Sequence, residues 1–248
     1  MALSPIHRVQ LATAINPSYL APPRIGEIKQ ALDRDPNRHV VLDDFLLTNH
    51  ISALNELITR TGEFEPNLKI TPGAKRAEHL TEAQRRSTVD RDTFERVAPA
   101  DRFISQETYV GAPSATSQTR PARTDALVRS VFASEAFHSL MGELSGIPVQ
   151  ETLPIKLKRH RKGHFLRRHS DSTGGRKLCS VLYVHERWLP EFGGRFELFR
   201  PDGTRYEIDP LPNRLILFDV TIGNEHAVQD LEQVPDDWYR ANYSVWFR

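Results

Sequence analysis

The apolar positions of this chain follow two periods, and the change from one to the other divides it. In the first half they recur at helical spacing. Ile25, Ile28 and Leu32 predict a short helix from about Arg24 to Asp33. His39-Val-Val-Leu42 then reads as a buried strand that leads into Asp43-Asp44-Phe45-Leu46. Thr48 or Asn49 can cap a helix to about Thr61, with Ile51, Leu54, Leu57 and Ile58 on one face. Thr124 opens another to about Ala133, and Ser134 caps Glu135–Leu144, which Gly146 and Pro148 end.

From Thr152 onward the pattern is strands and turns. Pro154–His160, Phe165–Asp171, Lys177–Val184, Arg195–Arg200, Thr204–Ile208, Leu215–Val220, His226–Leu231 and Arg240–Arg248 are eight candidate strands. Turn signals such as Gly174-Gly175, Gly193-Gly194 and Pro201-Asp202-Gly203 separate them. Short antiparallel strands at this spacing predict a double-sheet jelly roll with a site between the sheets, and the earlier helices as a layer outside it.

Two stretches show neither period. Residues 1–23 are proline-punctuated and read as irregular. Residues 62–120 are dominated by charged and turn-forming residues, including Lys75-Arg76, Arg85-Arg86 and Arg91. A stretch this long without clear elements is usually functional. It is expected to cover a substrate, with short helices near Thr81–Arg86 and Thr93–Val97.

Composition narrows the class. A length of 248 residues with 39% apolar content suits one large domain with a sizeable core. The formal charge of +1 offers no global argument for nucleic acid or membrane. A single cysteine, Cys179, excludes an internal disulfide framework and fits a reducing compartment. The N-terminus lacks the features of a signal peptide, and no apolar run approaches the ~20 residues a membrane span needs. The expectation is a cytoplasmic protein with no membrane partner.

The candidate chemistry lies at His169-Ser-Asp171. Strand alternation puts these two side chains on one face, and an imidazole from a distant strand, His226, would complete a set of two His and one carboxylate. Such a facial triad suits Fe(II) with positions left open. Alone, the pair could equally be a surface histidine and a turn aspartate.

Downstream features give it context: the Gly193-Gly194 turn, the strand Leu215-Ile-Leu-Phe218, His226-Ala-Val228, and Arg240 leading into Ser244-Val-Trp-Phe247. This order resembles the prolyl-4-hydroxylase-like branch of the Fe(II)/2-oxoglutarate-dependent dioxygenase superfamily. The resemblance is strongest over residues 155–248 and fainter around Asp43-Asp44-Phe45-Leu46. It implies a double-stranded β-helix (jelly roll, cupin-like) core packed against an N-terminal helical layer. The whole chain, 1–248, then forms one oxygenase domain, with 1–150 as helical and lid region and 151–248 as catalytic core.

By the same resemblance His169, Asp171 and His226 match the iron ligands, and 2-oxoglutarate and O2 are the co-substrates. Arg240 matches the residue holding the distal carboxylate of 2-oxoglutarate, for which a bidentate guanidinium is well shaped. Tyr183 matches a tyrosine that helps hold the same carboxylate. Cys179, Val181 and Tyr183 share one face by alternation, as do Arg240, Asn242, Ser244 and Trp246. Ser244 could add a hydrogen bond to the co-substrate, Val228 could floor its pocket, and Trp246 could pack the cavity wall. The chain departs from the family at His160, which stands where a tyrosine is usual. His160 could bond the co-substrate or substrate, or be solvated.

The run from Lys156 to Arg168 holds seven basic residues and no acid. It reads either as a solvated face or as a rim that recruits an anionic substrate or carrier. His7, His39, His50, His79, His138, His164 and His185 show no ligand-like spacing and read as structural. The expected function is hydroxylation of an unactivated C–H bond in a free, peptidyl or carrier-bound amino acid, proline-like rings first. The carboxylate Asp171, which related halogenases lack, favours hydroxylation. The alternatives are oxidative demethylation of nucleic acid, disfavoured by the absence of a basic–aromatic groove, and a non-catalytic jelly-roll binding module.

Overall fold

The computed structural model describes residues 3–70, 88–111, 119–200 and 202–248. Its helices are α1 (Pro5–Leu11), α2 (Pro22–Arg34), α3 (Thr48–Glu56), α4 (Arg91–Arg96), α5 (Arg120–Phe132) and α6 (Glu135–Ser145). The strands are β1 (His39–Leu42), β2 (Phe64–Ile70), β3 (Arg102–Tyr109), β4 (Lys156–His160), β5 (Phe165–Ser170), β6 (Leu178–Tyr183), β7 (Phe196–Phe199), β8 (Arg205–Ile208), β9 (Leu215–Asp219), β10 (Glu225–Val228) and β11 (Arg240–Phe247). All strand pairings are antiparallel, in the order β1-β9-β6-β11-β4-β3-β5-β10-β7-β8, with β2 joined to β3. The architecture is a curled, mainly antiparallel jelly-roll core with helices packed on one side.

Alternation decides what each face of the sheet does. On β6, Leu178 and Leu182 turn toward the helices, while Cys179, Val181 and Tyr183 turn the other way. On β9, Leu215 and Leu217 join the first group, and Ile216 and Phe218 the second. The helix side is one continuous apolar cluster. It joins Ile25, Ile28 and Leu32 of α2 and Phe137, Leu140 and Leu144 of α6 to Tyr243, Val245 and Phe247 of β11. Burying side chains of this size is the main stabilising term, about 1.5–3 kcal/mol for each before entropy is set against it.

The structure departs from the sequence expectations in several places: the helix expected to open at Thr124 begins at Arg120, and the helix at Thr48 has Leu47 at its N-cap with no side-chain cap. Residues 1–23 are not irregular: Ser4 caps α1, with Pro5 at its first position, and a 3-10 turn spans Pro17–Leu20. Residues 62–120 are not a stretch without strands, because β2 and β3 form a hairpin there that extends the sheet. Their pattern gave no strand signal because they are half wet: Leu68 is the one fully buried residue of β2. Near Thr93–Val97, α4 forms at Arg91–Arg96, capped by Asp90. The helix expected near Thr81–Arg86 lies outside the described residues. The helix after Thr48 ends as a π-turn over Leu57–Thr61. No helix among the described residues is long and apolar enough to cross a membrane.

Candidate active site

The pairing of β5 with β10 sets His169 directly opposite His226, and Asp171 follows just past the end of β5. One ligand atom from each of the three lies within 4.8 Å of the others, the one such group of metal-ligating side chains among the described residues. His169 Nε2 is 3.8 Å from Asp171 Oδ1, and His226 Nε2 is 3.4 Å from Asp171 Oδ2. Both exceed an ordinary hydrogen bond. The three donors face one another without satisfying one another, and that arrangement leaves room for a cation between them.

Surrounding contacts suit the same role. The ring of His169 donates from Nδ1 to the Arg167 carbonyl at 2.9 Å, which leaves the Nε2 lone pair toward the cluster. Burial, with the neighbouring His226 ring, lowers the His169 pKa to about 4, so the imidazole stays neutral and able to ligate. For Asp171, burial alone would raise the pKa, but the facing rings of His226 and His169 and the Trp246 indole overrule it and hold the carboxyl well below its usual range. Trp246 Nε1 donates to Asp171 Oδ2 at 2.8 Å, and Arg176 donates to Oδ1 at 3.0 Å. Two neutral nitrogens and one oriented carboxylate fit ferrous iron with positions left open for other ligands.

The cluster opens on a narrow cavity between the two sides of the core. Lys158, His160, Val228, Arg240, Asn242, Ser244 and Trp246 line it, among others. Arg240 is 1% exposed, and each of its nitrogens has a partner. Nε donates to the Gly194 carbonyl at 2.7 Å, Nη1 to Asn242 Oδ1 at 3.2 Å, and Nη2 to Tyr183 Oη at 2.9 Å. A guanidinium has five N–H donors, so two remain to face an incoming carboxylate. Asn242 Nδ2 in turn donates to Ser244 Oγ at 3.0 Å, a relay along β11 from the guanidinium toward Trp246.

The structure thus brings His169, Asp171 and His226 together, with Arg240, Ser244, Val228 and His160 around the adjoining cavity. Tyr183 reaches the site through Arg240. His160 is 2% exposed, and neither ring nitrogen has a partner. Burial and the nearby Arg240 hold its pKa well below the ordinary histidine value. It is therefore not solvated. The basic run divides: Arg159 and Arg161 pair with Glu107, Arg167 with Asp230 and Arg168 with Glu225. Lys158 instead turns into the cavity.

Sequence reasoning missed three roles. Asn242 shares the face of Arg240 and Ser244, and alternation alone could have marked it as their bridge. Gln106, on β3, lines the cavity with its Oε1 unpartnered, but β3 itself had no readable strand pattern. The Arg176 contact to Asp171 is set by a turn that no period predicts.

Comparison with known proteins agrees with this geometry. Residues 155–248 match the model of the 2OG-Fe(II) oxygenase superfamily. The prolyl 3-hydroxylase OGFOD1 of Mus musculus is 24% identical over 119 residues, a stretch that covers 46% of this chain and 22% of that protein's length. The chain thus spans about a fifth of that curated relative. Among solved structures, a Pseudomonas putida prolyl-4-hydroxylase superposes with a TM-score of 0.53 at 16% identity, covering 91% of this chain and 100% of that one. A Trichoplax adhaerens prolyl hydroxylase, solved in complex with a hypoxia inducible factor peptide fragment, gives 0.59 at 14% identity over 92% and 93% of the two chains. These likenesses show a shared fold. The matched segment contains all three converging ligands and Arg240, so the similarity to the 2OG-Fe(II) oxygenase superfamily, whose cofactor set is Fe(II), 2-oxoglutarate and O2, takes in the whole of the candidate site.

Proposed function

We propose that this protein is a 2-oxoglutarate-dependent dioxygenase that hydroxylates an unactivated C–H bond of an amino acid, with release of succinate and CO2. The amino acid is free, peptidyl or carrier-bound, and a proline-like ring is the first candidate because the relatives are named as prolyl hydroxylases. The observation that carries the reading is the placement of His169, Asp171 and His226 at one end of a cavity whose other wall holds the buried Arg240.

In this reading His169 Nε2, Asp171 and His226 hold the iron, which when bound supplies the oxygen-activating redox chemistry that no side chain can. Arg240 binds the distal carboxylate of 2-oxoglutarate through its two free N–H groups. Tyr183, Asn242 and the Gly194 carbonyl fix the plane of that guanidinium before the co-substrate arrives, so little is lost in ordering it. Ser244 offers its hydroxyl proton along the same wall, and His160 offers a ring nitrogen from the paired strand. Val228, Leu166 and Phe196 supply the apolar lining that keeps water from the reacting C–H. Trp246 and Arg176 hold Asp171 in one orientation and keep it ionised.

Anaerobic addition of Fe(II) and then 2-oxoglutarate should produce the metal-to-ligand charge-transfer absorption of the chelate. Asp171→Ala and His226→Ala should each abolish that absorption together with substrate-dependent succinate release. An unchanged absorption in either variant would sink the ligand assignment.

A further inference from the structure

The metal end of the cavity and its surroundings carry more positive charge than the proposed reaction uses. Ferrous iron with one carboxylate ligand has a single net positive charge, and Arg240 adds another. The two carboxylates of 2-oxoglutarate balance both. Lys156, Lys158 and Arg176 are left over, and all three gather on the indole of Trp246, with their charged centres 5.8, 5.2 and 4.8 Å from its ring centre.

Trp246 identifies which end of the cavity this is. Its Nε1 is bonded to the ligand carboxylate Asp171, so the cluster lies at the metal end. Along β11, Arg240 is six residues from Trp246, roughly 20 Å of strand at 3.3–3.4 Å per residue. Of the three cations, Arg176 is already committed to Asp171 at 3.0 Å. The other two are not. Among the described residues, the one carboxylate whose charge acts on either Lys156 or Lys158 is the same Asp171. Lys156 is exposed and touches the cavity only through Trp246, whereas Lys158 is 9% exposed and lines the cavity itself. Burial and the neighbouring Lys156 lower the Lys158 pKa to about 8. A surface salt-bridge lysine would show neither feature.

We infer that Lys156 and Lys158 bind a carboxylate of the substrate itself, so that the enzyme acts on a free acid and not on a residue inside a peptide. This rests on the proposed oxygenase reading and narrows it. The substrate is a small amino or imino acid, or its N-acylated form, whose carboxylate lies within a side chain's length of the C–H attacked. The two ammoniums anchor that carboxylate beside Trp246 and thereby turn the rest of the molecule toward the metal. The other acid that could occupy the position is the metal-side carboxylate of 2-oxoglutarate, and the two sources predict different outcomes.

The test uses protein loaded anaerobically with Fe(II) and 2-oxoglutarate, titrated with the common amino acids, L-proline first, each paired with its N-acetyl and carboxamide derivatives. Binding is read from the perturbation of the charge-transfer absorption. At least one free acid should bind, with its carboxamide about tenfold or more weaker, the loss expected for one charge-assisted contact. Lys158→Met should bring the acid down to the level of the amide, and Lys158→Arg should retain most of its affinity and serve as the folding control. Both variants should bind 2-oxoglutarate within about twofold of the parent. Equal binding of acid and amide, or no binding by any acid, overturns the inference. So does a Lys158→Met variant that loses 2-oxoglutarate affinity, which would assign the ammonium to the co-substrate. A parent protein that develops no absorption with 2-oxoglutarate fails at the earlier step and refutes the oxygenase reading instead.

Discussion

The two faces of β11 use the same eight residues for opposite purposes. Ala241, Tyr243, Val245 and Phe247 face the helices and belong to one apolar cluster. Arg240, Asn242, Ser244 and Trp246 face the cavity and are also buried, yet polar and charged side chains such as His160, His169, Asp171 and Lys158 share their surroundings. The one polar side chain that β11 turns to the helices is satisfied internally: the Tyr243 hydroxyl donates to Asp125, which Arg129 also holds. On the cavity face lie unpartnered buried atoms, both His160 nitrogens and Gln106 Oε1. Burial therefore has two meanings in this molecule. Where groups are complete, burial is stability; where they are incomplete, it marks a surface waiting for ligands.

That contrast can be broken most forcefully at Phe247, which is fully buried on the helix face beside Phe137. Phe247→Ala should cost about 3–5 kcal/mol of stability in a urea melt while leaving the 2-oxoglutarate affinity of the folded fraction unchanged. A co-substrate defect at unchanged stability would mean that the faces are not separable. The reciprocal change is Arg240→Met. It should weaken 2-oxoglutarate by about 3 kcal/mol, roughly a hundredfold, with iron binding and melting temperature nearly intact. Equal losses of iron and co-substrate would remove Arg240 from its assigned end of the cavity.

A smaller effect comes from acid. Burial lowers the pKa of His164 and of His185 to about 4 in the folded protein. In the unfolded chain each takes a proton near its ordinary value of about 6.5. Between about pH 6.5 and 4 the unfolded state thus holds more protons, and stability should fall as pH falls through that window. The slope should reach roughly 1.4 kcal/mol per pH unit for each ring. Replacing His185, whose Nε2 donates to the Pro210 carbonyl while Nδ1 accepts from the Ala241 amide, should remove one ring's share of that slope in metal-free protein. An unaltered slope would show that His185 is not buried neutral.

The legible part of the fold was the part with one wet face or one dry core. The strands from β4 to β11 lie close to their predicted places because each alternates or forms an apolar block. The β2–β3 hairpin was not legible: Phe64-Glu-Pro-Asn-Leu-Lys-Ile70 has a proline and two charges, and it buries only Leu68, in a small cluster with Phe94 and Phe165 apart from the main core. In the site, the convergence of His169, Asp171 and His226 was legible from strand alternation together with an order of features that resembles the oxygenase family. The environment of each did not. Nothing in Lys-Leu-Lys-Arg-His distinguishes a lysine that lines a cavity from one that is solvated, because both alternate alike. That distinction is made by β11, whose register sets Asn242 across from Lys158 and Arg240 across from His160.

Cys179 shares the cavity wall with Trp246, its direct neighbour across the β6–β11 pair. Burial pushes its pKa well above that of a free thiol, so the thiolate, the form that reacts, is scarce while the wall is closed. The chain contains no other sulfhydryl. Its alkylation rate is therefore a clock for the opening of this one wall, readable without any introduced label. Because Cys179 pairs with the strand that carries both Arg240 and Trp246, the same clock should slow whenever either end of the cavity is filled.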